Sequence, residues 1–441
     1  MGRVDSSPAK YVIPQSARHL GWLLIERAGR TVLVFAVGLL VARHLGPASL
    51  GTLSVALALI TLLSGWVQFG LDGVLSRDVL LDPERASERI ASAAVLRSIV
   101  GLAAWGLVLS IAWATAPSHG TEALLLWVLS PLVLLPSLML PDIWLRARLH
   151  GRTAAAAQLM AAAFGAVLRV TFVAVDAPLS AFAAATVIEG LAAAWLVHLL
   201  ARREGLRAPW RHARRATVLQ LARECWPLAL SGVAVVVYMK IDELMLRLLL
   251  GPAEVGWYTA ATRFTEIWFF LPAAIASSLL PRLIEARGSS ADESRREWQR
   301  SYDLQASTAY AIALPLSLAA PWLITLAYGP DFGPSAPVMV VHVWSLVFVF
   351  LGAARGQWLV QQGHGLFYLF ATLTGAGLNI GLNFVTIPRW GGVGAALSTL
   401  VSFAVGAWLS GYAYRPIRAT ASQQSLALAV PFRIREVVRS L

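Results

Sequence analysis

The sequence contains twelve apolar segments, and most of them are as long as a membrane-spanning helix. To within several residues they cover positions 20–42, 50–72, 90–114, 122–145, 153–174, 178–201, 217–249, 255–281, 301–327, 336–360, 366–387 and 391–414. At about 1.5 Å per residue, most of them can cross a hydrocarbon layer about 30 Å thick. Because the bilayer core offers no water to backbone groups, such segments must be helical. We therefore predict an all-α polytopic membrane protein with twelve transmembrane helices.

The charged residues are few and unevenly placed. Only 14% of the 441 residues are charged, against about 25% in a soluble domain. With the N-terminus in the cytoplasm, the inner segments hold 25 Lys and Arg residues and the outer loops hold 2. This asymmetry predicts a multi-pass protein of the inner (plasma) membrane with both termini cytoplasmic. It also explains the net charge of +12 as a topology signal, so we predict no nucleic-acid partner.

A seven-residue motif recurs at about half the chain length. Leu45–Gly51 reads Leu-Gly-Pro-Ala-Ser-Leu-Gly, and Leu250–Gly256 reads Leu-Gly-Pro-Ala-Glu-Val-Gly, 205 residues later. In both places the motif joins two apolar segments. A recurring Gly-Pro turn between apolar helices predicts two halves built to one plan.

The longest polar linker divides the twelve segments into six and six. We predict an N-terminal lobe at 1–203 with helices 1–6, a cytoplasmic linker at 204–216, and a C-terminal lobe at 217–414 with helices 7–12. The cytoplasmic tail at 415–441 is predicted to contain an amphipathic helix on the membrane surface. Because six is an even number, both lobes enter the membrane in the same orientation. The prediction is therefore two lobes related by a pseudo-two-fold axis along the membrane normal.

Ionisable side chains inside membrane helices are costly and point to function. Arg30 in helix 1 and Lys240 in helix 7 lie near the predicted midplane, too deep to reach water comfortably. Glu26 and Arg30 are one helical turn apart and can pair, which leaves Arg27 as a surplus cation. Helix 1 is then either the cationic wall of a cavity or an internally paired helix whose Arg27 extends to the inner surface.

Helix 7 carries a second group of charges. Lys240 and Glu243 have the spacing of helix neighbours, and Asp242 is left without a local basic partner. A half-buried carboxylate can take up a proton or a sodium ion. Asp242 and Glu26 are therefore the candidates for ion coupling, and a compensated structural cluster is the alternative for helix 7.

Two further arginines complete the set of candidate cations. Arg263 in helix 8 has Glu266 at pairing distance, and a cavity position and a surface position are both open for it. Arg355 in helix 10 has no acidic neighbour, but it lies near the inner end of its helix and can also extend to the membrane surface. A guanidinium binds phosphate through a planar two-donor fork, so surplus arginine favours a phosphate or diphosphate ligand. The predicted substrate-binding cations are Arg27, Arg30, Lys240, Arg263 and Arg355.

Several stretches, in order along nearly the whole chain, resemble one known family. They are Ala42–Pro47 with Gly51, Phe69–Leu71, Ile241–Asp242 with Leu250–Ala261, Gly363–Gly365, Leu378–Asn383 and Ile387–Ala396. The sequence thereby resembles the polysaccharide (O-antigen-type) flippases of the multidrug/oligosaccharidyl-lipid/polysaccharide exporter superfamily.

The resemblance implies two six-helix lobes around a cationic central cavity. It also implies alternating access that moves a polyprenyl-diphosphate-linked oligosaccharide from the inner to the outer leaflet, for cell-surface polysaccharide biosynthesis. In such proteins, arginines of helix 1 and of the facing lobes engage the lipid diphosphate, and Arg27 and Arg30 match that region. The implied partners are membrane lipid, the lipid-linked glycan, and a glycosyltransferase or polymerase.

Other readings of the same sequence stay open. One is an ion-coupled drug or organic-cation antiporter of the same superfamily, and another is a non-transporting membrane component of a polysaccharide synthase. A membrane glycosyltransferase or polymerase is disfavoured because the outer loops are short and contain few acidic residues. The sequence contains no phosphate-binding loop, metal-ligand spacing or dinucleotide motif, so we predict no cofactor, no metal ion and no enzymatic activity.

Overall fold

The computed structural model describes residues 12–82, 85–118, 120–148, 151–206, 210–287 and 290–433, with most side chains from Gly29 onward. Within these ranges the chain is helical almost throughout and contains no β-strand. All twelve predicted apolar segments are helical over most of their length. The prediction of an all-α polytopic membrane protein is confirmed.

The described residues contain eight helical runs that are long and apolar enough to cross a membrane. Two of these runs, Gly29–Leu81 and Gly365–Ala413, each contain two of the predicted segments. The segments within each run are separated by a backbone break, at Gly46 in the first and at Gly391 in the second. The eight runs therefore account for ten of the twelve predicted segments, and the other two, 217–249 and 255–281, are helical as well.

The first compact unit comprises the described residues up to Val37 together with Leu63–Leu230. Its helices include the beginning of α1, which as a whole covers Val12–Gln68. The others are α2 (Leu71–Leu81), α3 (Ala86–Thr115), α4 (Gly120–Leu129), α5 (Leu135–Leu138), α6 (Leu140–Ala147), α7 (Gly151–Ala174) and α8 (Leu179–Arg203). Buried side chains such as Leu71, Leu145 and Val197 form its core.

The second compact unit comprises Gly38–Leu62 of α1 and the chain from Ser231 onward. Helix α9 covers Arg215–Leu249, so its first part belongs to the first unit. The following helices are α10 (Pro252–Glu266), α11 (Leu271–Arg287), α12 (Ala291–Tyr328), α13 (Ser335–His342), α14 (Ser345–Gln361), α15 (Gly365–Ala404), α16 (Ser410–Ala413) and α17 (Arg418–Leu428). The boundary between the two units after Leu230 falls within α9 and not at the polar linker 204–216. The predicted lobe boundaries therefore stay a prediction.

The two copies of the recurring motif meet inside the second unit. Gly46 and Gly251 have positive φ angles of 73° and 102°, and in each case the next residue is a proline that begins a new helical stretch. A Cβ atom on Gly51 would overlap the carbonyl oxygen of Pro252, and one on Gly256 would overlap that of Pro47. The sequence repeat is therefore a reciprocal backbone contact that tolerates only glycine at these two positions.

The tail folds back into the second unit. The Gln424 side chain on α17 donates to the backbone carbonyls of Leu351 and Ala407, and the Gln423 side chain donates to that of Arg295. Helix α17 is thus held by buried amide hydrogen bonds and not by an apolar face alone. Its position on the membrane surface stays a prediction, and residues 434–441 lie outside the described part of the chain.

Candidate ion site and candidate cations

Asp242 on α9 lies at the centre of a buried polar cluster. Its side chain is 2% exposed. One carboxylate oxygen accepts hydrogen bonds from the Tyr258 hydroxyl at 2.6 Å and the Thr399 hydroxyl at 2.5 Å. The other accepts from the Asn383 amide at 2.6 Å. Helices α9, α10 and α15 therefore meet at this carboxylate, and α15 contributes a residue from each side of its break at Gly391.

A second amide extends the cluster. The Asn379 side chain donates to the Thr399 hydroxyl at 3.4 Å, and its oxygen accepts from Asn383 at 3.3 Å. The side-chain oxygen of Asn383 is buried and accepts no hydrogen bond from a described residue. The site thus offers carboxylate, hydroxyl and amide oxygens within one buried network.

The described hydrogen-bond partners of Asp242 are all neutral. No ion pair to a described Lys, Arg or His neutralises this carboxylate. Burying an uncompensated charge is very costly, so this setting favours a carboxyl group that carries a proton or a bound cation. Oxygen atoms are the ligands that hard cations prefer. The arrangement suits a proton or a small monovalent cation, and the described residues hold no group of three or more His, Cys, Asp or Glu for a metal ion.

A cavity of about 20 Å³ lies against this carboxylate, and its lining includes Tyr258, Glu266, His342 and Thr399. That volume is enough for one water molecule. Glu266 is the last residue of α10 and His342 the last of α13, so both stand where a predicted membrane segment is interrupted. Broken helices of this kind line ion sites in transporters, because the interrupted backbone exposes carbonyl groups to the cavity.

Lys240 lies two residues before Asp242 on α9 and belongs to a separate charge cluster. Its ammonium is 2.7 Å from Glu243, as the helical spacing predicts, and 3.6 Å from Glu266. The helical spacing had suggested that Glu266 pairs with Arg263. In the structure Glu266 pairs with Lys240 instead. The positive charges of Lys240 and Arg263 are balanced here by the negative charges of Glu243 and Glu266. Lys240 therefore does not supply surplus positive charge in this conformation.

Arg263 reaches the segment of α1 that belongs to the second unit. Its guanidinium donates to the backbone carbonyl of Gly38 at 3.2 Å. A Cβ atom on Gly38 would lie only 3.1 Å from the same guanidinium, so glycine leaves the room that Arg263 occupies. Arg263 and Lys240 lie in the same unit, and the structure brings these two predicted cations into one region.

The predicted residues of helix 1 lie in the first unit. Arg30 is exposed in the isolated chain and has a polar interaction within the structure. The side chains of Glu26 and Arg27 lie outside the described residues. The roles of these three residues stay predictions.

Arg355 on α14 is packed inside the second unit and is 2% exposed. It donates to the Gly406 carbonyl and, at 3.1 Å, to the Ser410 hydroxyl. Gly406 lies in a five-residue π-helical turn, Val405–Leu409, where the widened backbone frees carbonyl groups. The guanidinium also stacks 5.7 Å over the Phe367 ring. These contacts favour a structural role for Arg355 in this conformation.

Sequence reasoning selected Asp242 but missed its partners. A search for ionisable side chains in membrane segments overlooks these partners, because none of them carries a charge: Tyr258, Asn379, Asn383 and Thr399. Asn379 and Asn383 lie four residues apart, on one face of an apolar helix. Two amides at that spacing in a membrane segment were the available signal.

A family model described as "Polysaccharide biosynthesis protein" matches residues 17–287, more than half of the chain. No curated protein sequence matches the chain significantly.

Solved structures with similar folds are membrane transporters. An inward-facing multidrug resistance MATE family transporter of the MOP superfamily superposes with a TM-score of 0.71 at 18% identity, covering 89% of this chain and 95% of the other. The lipid II flippase MurJ, in an inward closed conformation, gives a TM-score of 0.68 at 14% identity, with 96% and 92% covered. A MATE protein in complex with MaD3S gives 0.65 at 18% identity, with 92% and 96% covered. At these identities the likeness shows the fold.

Proposed function

The chain belongs to the polysaccharide biosynthesis protein family, and from that premise we propose that it is a flippase for a polyprenyl-diphosphate-linked oligosaccharide. The lipid-linked glycan moves from the inner to the outer leaflet of the cell membrane by alternating access, for cell-surface polysaccharide biosynthesis. The observation that carries this proposal is the family match over residues 17–287. The fold shared with the lipid II flippase MurJ over nearly the whole chain supports it.

The buried carboxylate suggests how the transport is driven. Asp242 binds a proton or a sodium ion among Tyr258, Asn383 and Thr399. Because the carboxylate and its donors lie on three helices, occupancy of the site changes how strongly those helices hold together. An ion gradient can then favour one conformation over another. Both termini are cytoplasmic in this proposal, as the distribution of Lys and Arg predicts.

Cations recognise the substrate. Arg27, Arg30 and Arg263 are proposed to bind the diphosphate, since a guanidinium keeps its charge and forms two parallel hydrogen bonds to phosphate oxygens. Lys240 contributes only if its two carboxylate partners are protonated or move away, and Arg355 holds the fold. The glycan follows the diphosphate and requires no covalent chemistry from the protein.

A reconstituted flipping assay tests the substrate class. The purified full chain in proteoliposomes should expose a fluorescent polyprenyl-diphosphate oligosaccharide to a membrane-impermeant quencher faster than empty liposomes do. Polyprenyl monophosphate carrying the same label serves as the matched control and should move more slowly. Equal rates with and without protein would rule out the proposed activity.

Arg30→Ala tests the diphosphate contact in the same assay. We expect its initial rate to fall at least about tenfold, because a charge-assisted hydrogen bond contributes about 1.5–3 kcal/mol. Arg43→Ala is the matched control, since Arg43 is an exposed arginine on the same helix, and its rate should match the wild type. Equal rates in both variants would remove Arg30 from the substrate site.

A second candidate is an ion-coupled organic-cation antiporter. The similarity to a multidrug resistance MATE family transporter favours it, and a buried carboxylate suits a cationic substrate as well as a coupling ion. Uptake of ethidium into the same proteoliposomes under an ion gradient distinguishes the two. Ethidium transport without glycolipid flipping would favour the antiporter.

A further inference from the structure

A cavity separate from the Asp242 cluster lies between α11 and α12. It has a volume of about 210 Å³ and is lined by Leu279, Arg282, Leu283, Glu297, Arg300, Ser301 and Leu304. The predicted apolar segments of these two helices are 255–281 and 301–327. By these bounds Leu279 and Leu304 fall inside the predicted membrane spans, while Arg282 and Arg300 fall just beyond them. We therefore expect the cavity to cross the boundary between hydrocarbon and headgroups, on the side predicted to be cytoplasmic.

The charges of this cavity do not balance. Arg300 forms an ion pair with Glu297 at 2.5 Å. Arg282 is exposed, and no described residue forms an ion pair with it. The lining thus carries two positive charges and one negative charge, and the guanidinium of Arg282 forms no ion pair with a described residue.

The combination of charge and shape selects a ligand class. We propose that this cavity binds the phosphate headgroup of an anionic phospholipid of the inner leaflet. The phosphate lies against the guanidinium groups of Arg282 and Arg300, and an acyl chain follows Leu279 and Leu304 into the membrane. Basic pockets between membrane helices at the cytoplasmic surface recognise anionic headgroups in this way.

The volume argues against a larger occupant. Sites for drug-sized molecules have volumes of about 300–1,000 Å³, so about 210 Å³ accommodates a small headgroup but no oligosaccharide. The site does not depend on the transported substrate, and this inference stands or falls separately from the proposed function.

Native mass spectrometry of the detergent-purified full chain tests the site. The probes are phosphatidylglycerol, phosphatidylcholine, inorganic phosphate and pyrophosphate. Phosphatidylglycerol should bind saturably, and Arg282→Gln should weaken its binding about tenfold through the loss of charge-assisted hydrogen bonds. Arg296→Gln is the matched control, because Arg296 is an exposed arginine of α12 that does not line the cavity. It should bind within about twofold of the wild type. Equal melting temperatures of the lipid-free proteins check that both variants fold.

Three results would overturn the assignment. If both variants weaken binding equally, the lipid responds to general surface charge and not to this cavity. If inorganic phosphate or pyrophosphate displaces phosphatidylglycerol at equal concentration, the ligand is a free phosphate anion. If phosphatidylcholine binds as well as phosphatidylglycerol, the headgroup's net charge is not recognised.

Discussion

At the residue scale, Asp242 and Lys240 lie two positions apart on α9 but face different partners. Asp242 is held by neutral donors, whereas Lys240 is held by the carboxylates of Glu243 and Glu266. Because adjacent helix positions point in different directions, a difference of two residues moves a side chain to another face. No described Lys, Arg or His therefore balances the charge of the buried acid, while the nearby base is held in a compensated cluster.

The balance around Lys240 yields a stability prediction. Lys240→Met should destabilise the protein by about 3–5 kcal/mol, because it leaves the nearly buried carboxylate of Glu243 without its cation. The double variant Lys240→Met/Glu243→Gln should recover most of that loss, since Gln carries no charge. Unfolding of both variants in mixed detergent micelles measures the difference. A single variant as stable as the wild type would mean that the ion pair contributes nothing to the fold.

The sequence predicted the site only partly at this scale. Charged residues stand out against an apolar background, so Asp242, Lys240 and Arg263 could be selected without a structure. Pairing within one helix followed from spacing, as for Lys240 with Glu243. Pairing between helices did not: the contacts of Arg355 with Gly406 and of Asp242 with Asn383 require the tertiary packing of segments that are far apart in sequence.

At the element scale, glycines account for several of the helix breaks and for one close contact between helices. Gly46, Gly251 and Gly391 have positive φ angles, which other residues rarely adopt. Gly51 and Gly256 instead lie within helices and permit contact between two backbones. The repeated motif of the sequence thus combines a break and a contact, five residues apart in each copy.

The reciprocal contact can be tested with alanine. Gly51→Ala and Gly256→Ala should each destabilise the protein by about 1–3 kcal/mol, because the new methyl group overlaps a backbone carbonyl that cannot move easily. Gly29→Ala is the control on the same helix: a Cβ atom there meets nothing within 4 Å. That variant should be unchanged or slightly more stable, since alanine favours helix.

Melting temperatures of the three purified variants provide the measurement. Equal values for Gly51→Ala and Gly29→Ala would contradict the close contact between the two motifs. The motif could be read from the sequence as a repeated turn, but the meeting of its two copies could not. Repetition predicts similar local structure, and contact between the copies is a tertiary property.

At the scale of the whole molecule, hydropathy and charge distribution predicted the fold class. The bilayer restricts a spanning chain to helices, so apolar length alone located the membrane segments. Their interruptions were less predictable, because the breaks after Glu266 and His342 carry no proline or glycine at the turn itself. These breaks line the small cavity beside Asp242, so the least predictable backbone lies next to the candidate site.

The chain belongs to the polysaccharide biosynthesis protein family and shares its fold with solved membrane transporters. The buried carboxylate is the part of the molecule that we propose to drive transport. A carboxylate without a basic partner can couple to an ion gradient, whereas a paired carboxylate already has its counter-ion. Asp303 offers a matched comparison, because it is a second buried carboxylate in the same unit, 4% exposed, with a hydrogen bond from Gln299 at 2.8 Å. Unlike Asp242, it also lies within the electrostatic influence of a basic group, the Arg433 guanidinium.

Gradient-driven flipping by Asp242→Asn and Asp303→Asn is the measurement that tests this account most directly. In proteoliposomes with an imposed sodium or proton gradient, the wild type and Asp303→Asn should flip the lipid-linked oligosaccharide faster than without a gradient. Asp242→Asn should show one slow rate under all conditions, because Asn can neither release a proton nor attract a cation. A gradient-stimulated rate in Asp242→Asn equal to that of the wild type would contradict the assignment.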